Sequence, residues 1–225
     1  MFQKLSPRDY TVSRWSGGTT TQIAIFPPEA KYADRDFLWR ISSATVDLEE
    51  SDFTALPDYE RLISTLAGEI VLTHNGGAPL TLRPFEVHAF SGADATHSRG
   101  RCTDFNLMLR RGRAAGTMEA LRVSNTPTKL DAGISVACPP IPAAEQLLLY
   151  CAEGTAHVGA AIGRPRDEPA SPFCHSERGE AEPKNPTPSA SPFILVPGEA
   201  LLLTGPIFLT LSGPAILMVC RIKTL

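Results

Sequence analysis

Trp15-Ser16-Gly17-Gly18-Thr19-Thr20 and, shortly after it, the segment Phe-Leu-Trp-Arg-Ile-Ser-Ser-Ala at residues 37–44 are the stretches that decide the fold class. Polar and apolar residues alternate in the second segment, as they also do at residues 59–63 and 104–108. Side chains two positions apart lie on the same face of a β-strand. A polar face repeated on successive strands predicts a barrel with a partly polar interior, and therefore a ligand pocket.

Short apolar runs separated by Gly, Pro, Asn and Asp occupy most of the chain, and no window longer than about ten residues keeps a helical period. This pattern predicts an all-β protein built from antiparallel strands. The two halves have a similar rhythm, which favours a first barrel over residues 1–112 and a second over residues 113–225. One larger sandwich is the alternative that the same pattern leaves open.

The segment at residues 163–192 differs from the rest of the chain. It is rich in Pro, Ser, Glu and Arg and contains few large apolar side chains. Such a composition buries too little apolar surface to offset the entropy lost on ordering. We therefore expect an extended insertion in the second barrel.

Five motifs occur in a characteristic order: W-S-G-G-T, F-L-W-R-I-S-x-A, F-x-x-x-P-x-x-x-R, F-x-G and D-F-N-L-M. This order resembles the HutD/Ves family of cupin-like proteins. The resemblance implies a bicupin, with two stacked double-stranded β-helix barrels of the RmlC-like jelly-roll type. It also implies a regulatory or ligand-binding role linked, in some members, to histidine utilisation. Asp58 stands where the family pattern commonly has glycine, and Gln22 where it commonly has an acidic residue.

Charge and hydropathy exclude two classes of partner. The 225 residues carry a formal net charge of −3 and give a pI near 6.0, so no strongly basic surface for nucleic acid is expected. The most apolar region, residues 200–222, is interrupted by Gly205-Pro206 and Gly213-Pro214 and predicts hairpins rather than a membrane span.

The cysteine pattern and the first residues predict a cytoplasmic location. The five cysteines are widely spaced, odd in number and lack a CxxC pair, which is typical of reduced thiols. The beginning, residues 1–8, lacks the apolar run of a signal peptide. A homodimer is an open alternative to a monomer.

The histidines do not follow the metal-binding pattern of cupins. Many cupins hold a metal through a His-x-His pair, a nearby Glu and a later His, but none of the five histidines forms His-x-His. Glu86 and His88 could share a strand face, and a surface pair is the simpler reading. We therefore expect no metal and no other cofactor.

Two arginines are the strongest candidates for ligand recognition. Arg40 shares a strand face with Ser42, and Arg61 follows a loop at the expected mouth of a strand. A guanidinium group is permanently charged and forms a planar fork that fits a carboxylate. Asp104 and Asn106 share a face on their own strand, so Asp104 could instead neutralise either arginine as a buried pair. For Arg40 both readings stay open, and for Arg61 we favour ligand binding.

Further ligand contacts are expected from Thr19 and Trp39. The glycines at positions 17 and 18 could bring backbone amides and the Thr19 hydroxyl onto an anion, or they could form a β-bulge, which we favour. Trp39 is expected in the core, with stacking on a ligand as the alternative.

The sequence contains no recognisable catalytic motif: it has no nucleophile elbow, P-loop or dinucleotide fingerprint. Whether the protein is an enzyme therefore stays open. The function that we predict is metal-independent binding of a small carboxylated metabolite, in sensing or regulation of amino-acid (histidine) catabolism. The alternative is a cupin-type isomerase, hydrolase or dioxygenase.

Overall fold

The computed structural model describes residues 1–123, 145–161, 193–205 and 208–225. The insertion expected at residues 163–192 lies outside the described residues, as do Cys138 and Cys174. The other three cysteines, Cys102, Cys151 and Cys220, are free and buried.

The described residues form 18 β-strands and two short 3-10 helices, at Pro7–Asp9 and Tyr32–Asp34. The strands are β1 (Phe2–Leu5), β2 (Thr11–Trp15), β3 (Gly18–Phe26), β4 (Trp39–Val46), β5 (Glu50–Asp52), β6 (Tyr59–Ala67), β7 (Ile70–His74), β8 (Leu80–Leu82), β9 (His88–Ser91), β10 (Thr96–Arg99), β11 (Cys102–Arg110), β12 (Ala114–Val123), β13 (Glu145–Gly154), β14 (Ala156–Ala161), β15 (Phe193–Leu195), β16 (Ala200–Thr204), β17 (Phe208–Ser212) and β18 (Ala215–Thr224). No α-helix occurs in these ranges, which confirms the all-β prediction for the described part of the chain.

Antiparallel pairing joins the strands into four sheets. The six-stranded sheet has the order β2-β3-β4-β11-β6-β9, and the five-stranded sheet has the order β1-β16-β13-β18-β12. A four-stranded sheet, β5-β10-β7-β8, and a three-stranded sheet, β15-β14-β17, complete the described fold. None of these four sheets closes into a barrel in the ranges that the structure describes.

Three apolar clusters hold the sheets together. One lies between the six-stranded and four-stranded sheets and includes Ile63 and Leu72. A second lies between the six-stranded and five-stranded sheets and includes Trp39 and Leu148. The third joins the five-stranded and three-stranded sheets. The six-stranded and five-stranded sheets therefore pack against each other in the middle, with the smaller sheets outside.

Strand β4 shows how the sequence directs its two faces. Trp39 and Ile41 are fully buried in the cluster against the five-stranded sheet. Arg40 and Ser42 alternate with them and point to the opposite side of the six-stranded sheet, as the two-residue period of a strand requires. That side of the sheet carries the polar residues of the candidate site.

The N-terminal strand crosses between the halves of the chain. Residues Phe2 to Leu5 pair with Leu203 to Ala200, so β1 belongs to the sheet of the C-terminal half. Among the described residues, no helix has the length and hydropathy needed to cross a membrane.

Candidate functional site

A cavity of about 330 Å³ opens on the polar side of the six-stranded sheet. Its lining residues come from β2, β3, β4, β6 and β11, from the 3-10 helix at Tyr32–Asp34, and from β5 with the two residues after it: Ser13, Trp15, Thr20, Tyr32, Arg40, Ser42, Ala44, Val46, Ser51, Asp52, Phe53, Thr54, Arg61, Asp104, Asn106 and Met108. Pockets for small ligands begin at roughly this volume.

The polar lining is arranged in successive rungs across β4, β11 and β6. In the first rung, Met108 lies opposite Arg40 on one side and Arg61 on the other. In the second rung, Asn106 lies opposite Ser42 and Ile63.

In the third rung, Asp104 lies opposite Ala44 and Thr65. Alternate residues along a strand are about 6.8 Å apart. The cavity therefore has the two arginines at one level, and the amide and the carboxyl group one and two steps along the sheet.

Neutral groups fix the Arg40 side chain. Its Nε donates a hydrogen bond to Gln22 Oε1 at 2.8 Å, and its Nη1 donates to Ser42 Oγ at 3.0 Å. The guanidinium carbon lies 4.3 Å from the ring centroid of Tyr32. Because Gln22 supplies an amide where the family pattern commonly has an acid, this contact orients Arg40 without neutralising its charge.

The Arg61 guanidinium lies between two aromatic rings. Its central carbon is 4.8 Å from the centroid of Phe53 and 5.1 Å from that of Phe90. The residue is only 6% exposed, and its Nε has no hydrogen-bond partner in the described part of the chain. Burial lowers the pKa of Arg61 to about 10, against the opposing attraction of Asp104. Burying a cation without a hydrogen-bonded anion carries a large desolvation free energy. The missing anionic partner of Arg61 is therefore the main feature of the site.

Asp104 does not supply that contact. Its Oδ1 accepts a hydrogen bond from the backbone N–H of Ala44 at 2.8 Å, and no ion pair among the described residues joins it to Arg40 or Arg61. Burial raises the pKa of Asp104 to about 6, although the Ala44 N–H and the guanidinium groups of Arg61 and Arg40 oppose the shift. Two cations therefore share the cavity with one buried carboxyl group, Asp104, whose ionisation is disfavoured.

Asn106 contributes an unused acceptor. The residue is 3% exposed, and its Oδ1 is buried without a hydrogen-bond partner in the described residues. It is adjacent across the sheet to Ser42, whose hydroxyl accepts from Arg40.

Trp15 and Asp52 are exposed residues of the cavity lining. Trp15 is 41% exposed, and its indole folds over Gly17, where a Cβ would lie only 2.0 Å from the ring and would displace it. The Asp52 side chain is 85% exposed, and it pairs with His97 at 2.9 Å. This carboxylate is already partnered and solvated, so it does not cancel the charge deeper in the cavity.

The HutD family model matches residues 7–170 of the chain, which is well over half of its length. The chain belongs to the HutD family. The resemblance deduced from the motif order is thereby confirmed.

Solved structures share this HutD-family fold. A conserved protein of unknown function from Pseudomonas aeruginosa PAO1 is similar with a TM-score of 0.70 at 24% identity, covering 100% of this chain and 98% of that one. HutD from Pseudomonas fluorescens SBW25 (formate condition) gives a TM-score of 0.68 at 19% identity, covering 100% of both chains.

A cupin 2 conserved barrel domain protein from Leptotrichia buccalis gives a TM-score of 0.54 at 9% identity, covering 99% of this chain and 96% of that one. At these identities the likeness establishes a cupin-type β fold and nothing finer.

In this HutD-family chain, five residues predicted as ligand contacts line one cavity: Arg40, Ser42, Arg61, Asp104 and Asn106. Arg61 is the third residue of β6, which begins at Tyr59, and so follows the loop before that strand. The two arginines lie at the same level of the sheet, because both pair with Met108.

The other two predicted contacts, Trp39 and Thr19, are absent from the cavity lining. Trp39 is fully buried on the opposite face of β4, where its Nε1 donates to Gln146 Oε1 at 2.8 Å. Its position agrees with the reading of Trp39 as core. Thr19 precedes Thr20, and it is Thr20 that lines the cavity.

Ser16 and Gly17 form the hairpin turn between β2 and β3, where Trp15 pairs with Gly18, the first residue of β3. The expectation of a β-bulge at this pair is therefore wrong. The bulge in β3 lies between Gln22 and Ala24. Gly18 has φ near +151°, and a Cβ there would lie 1.9 Å from the Thr45 carbonyl oxygen, so the glycine allows close approach of β4 rather than a bulge.

The histidine candidates do not converge on a metal-like cluster. Glu86 Oε2 accepts from the Arg83 backbone N–H, while His88 Nε2 lies 2.9 Å from His74 Nε2. No group of three or more His, Cys, Asp or Glu side chains that could hold a metal occurs in the described ranges.

Tyr32 and Phe53 are site residues that sequence reasoning missed. Tyr32 lies in a three-residue 3-10 helix, and Phe53 follows β5 directly. Neither belongs to an alternating run, so no periodic signal connects them with the polar strand faces.

Proposed function

We propose that this HutD-family protein binds a small carboxylated metabolite without a metal, in sensing or regulation of amino-acid catabolism. The observation that carries the proposal is Arg61, which lines the cavity with a buried guanidinium whose Nε has no hydrogen-bond partner among the described residues. A carboxylate presents two acceptor oxygens in a plane, which matches the fork of an arginine.

The charge balance of the cavity supports an anionic ligand. Arg40 and Arg61 each carry a positive charge, whereas burial raises the pKa of Asp104, the one buried acid in the lining, to about 6. At neutral pH the buried groups then sum to about one positive charge, since only Asp104 opposes the two arginines. A monoanion compensates this surplus.

The proposal also covers the domain organisation, the metabolic role, the location and the oligomeric state of the protein. We infer that each half, residues 1–112 and 113–225, is one cupin-like unit of a bicupin, supported by the apolar cluster that each pair of larger and smaller sheets encloses. The link to histidine utilisation rests on membership of the HutD family. A cytoplasmic location and homodimerisation belong to the proposal as well.

Isothermal titration calorimetry against carboxylates of two to six carbons, including amino-acid breakdown products, tests the proposal. Arg61→Ala should weaken binding about 30-fold to several-thousand-fold, because loss of a bidentate charge-assisted contact costs about 2–5 kcal/mol. Arg83→Ala is the matched control, since Arg83 is exposed, pairs with Glu69 and lies outside the cavity lining.

Arg40→Ala should lower both affinity and stability, since it also breaks the contacts with Gln22 and Ser42. If no carboxylate binds the wild-type protein, or if Arg61→Ala binds as tightly as wild type, the proposal is wrong.

One observation favours a second function, that of a cupin-type enzyme. Asp104 is buried in the cavity with its pKa raised to about 6, which is the range of a general acid or base near neutral pH. Turnover of a bound carboxylate that is lost in Asp104→Asn while binding persists would favour this reading. Stoichiometric iron, manganese, nickel or zinc in the purified protein would favour its metal-dependent version.

A further inference from the structure

Two residues that line the cavity have buried polar atoms with opposite hydrogen-bonding needs. Four buried side-chain polar atoms lack a partner in the described residues, and two of them belong to lining residues: Arg61 Nε, which is a donor, and Asn106 Oδ1, which is an acceptor. Leaving such an atom unpaired carries a desolvation cost that a complementary ligand removes.

A plain carboxylate meets only one of these needs. Its oxygen atoms accept from the arginines, but it has no hydrogen to donate to Asn106 Oδ1. No described residue meets the second need: Asn106 Oδ1 has no partner, and the hydroxyl of its neighbour across the sheet, Ser42, accepts from Arg40 and forms no hydrogen bond to Asn106.

The acceptor character continues one rung further along β11. Asp104 lies two residues before Asn106 on the same face, and its carboxyl group is also in the lining. The cavity thus has a donor end at the arginine rung and an acceptor end at Asn106 and Asp104, separated by about one to two rungs of the sheet.

We propose that the ligand is a carboxylate that also carries a hydroxyl or amide hydrogen, with the carboxylate on Arg61 and the hydrogen donated to Asn106 Oδ1. This inference rests on the proposed function and narrows its ligand class. Asn106 is then a specificity-determining residue, because it separates donor-bearing acids from plain acids of the same charge and length.

The size of the expected preference for a hydroxy acid follows from the free energy that is lost when a buried acceptor stays unpaired. A site built to bond a hydroxyl discriminates strongly against the analogue that lacks it. For one neutral hydrogen bond we expect a preference of about tenfold.

The test is calorimetric titration of the full-length protein with butanoate and with 2-, 3- and 4-hydroxybutanoate. These probes share one charge and one carbon chain and differ only in the hydroxyl. At least one hydroxy isomer should bind about tenfold more tightly than butanoate. Asn106→Leu, which keeps the side-chain volume, should bring that isomer and butanoate within about twofold of each other while butanoate binding persists.

Two further variants keep the test decisive. Asn106→Ala replaces the leucine variant if that protein does not fold. Gln3→Leu is the matched control, since Gln3 is an exposed amide on β1 outside the cavity lining, and the hydroxyl preference should survive there.

The outcomes separate this inference from the proposed function. If no carboxylate of the two-to-six-carbon panel binds, the proposed function is wrong. If another carboxylate of that panel binds but neither butanoate nor any hydroxy isomer does, the present inference alone is overturned. If butanoate binds as tightly as all three isomers, or if the preference persists in both Asn106 variants, only the present inference is overturned. A preference for 4-oxopentanoate over pentanoate without any hydroxyl preference would mean that Asn106 donates rather than accepts, and would also overturn it.

Discussion

Replacing Asp104 with asparagine should change how stability depends on pH. Burial raises the pKa of this carboxyl group from 3.8 to about 6 in the folded protein. The folded state therefore holds the proton more tightly than the unfolded state. The stabilisation that follows is complete below pH 3.8 and is lost as the pH rises through about 6.

The size of the effect follows from the two pKa values. Over the whole window, the difference between 3.8 and about 6 corresponds to about 3 kcal/mol. Between pH 5 and pH 7, the contribution of Asp104 to the free energy of unfolding should fall by about 1 kcal/mol. Asparagine has no proton to lose, so this part of the pH dependence should be absent from the variant.

Urea denaturation of both proteins at pH 5, 6 and 7 measures this difference. The free energy of unfolding of Asp104→Asn, minus that of wild type, should increase by about 1 kcal/mol from pH 5 to pH 7. A difference that does not vary with pH would refute the claim that burial dominates at Asp104. A difference that decreases would show that the arginines hold its pKa below the ordinary value.

Two other predictions concern residues outside the cavity. Trp39→Phe should lower the free energy of unfolding by about 1–3 kcal/mol, because it breaks the hydrogen bond to Gln146 Oε1 and reduces packing between the two central sheets. Carboxylate affinity should stay unchanged in calorimetry. A loss of affinity with unchanged stability would contradict this prediction. Burial, with a smaller effect of His74, lowers the pKa of His88, so its contribution to stability should be complete above pH 6.5 and decrease as the pH falls below that value. The melting temperature of wild type minus that of His88→Gln should therefore decrease as the pH falls below 6.5. An increase in this value would contradict a lowered pKa for His88.

The alternation of side chains along the strands was sufficient to predict part of the candidate site. Arg40 and Ser42 on β4, and Asp104 and Asn106 on β11, were expected on shared faces, and the structure brings both pairs into one cavity. The same two-residue period puts Trp39 on the face opposite Arg40, where it is buried. These features are local, so the period of one strand is enough to predict them.

Tertiary features could not be predicted in the same way. The position of Arg61 opposite Met108 depends on the pairing of β6 with β11, which are distant in sequence. Whether Asp104 pairs with an arginine depends on side-chain reach across the cavity, and alternation gives no information about that. The stacking of Phe53 and Phe90 on Arg61 depends in the same way on how the sheets pack.

The most direct test of carboxylate recognition at Arg61 is a crystal structure of the protein grown with butanoate. Our account predicts the carboxylate in the cavity, with one oxygen about 2.7–2.9 Å from an Arg61 guanidinium nitrogen. An Arg61 side chain in an ion pair with Asp104, with butanoate elsewhere or absent from the cavity, would contradict it.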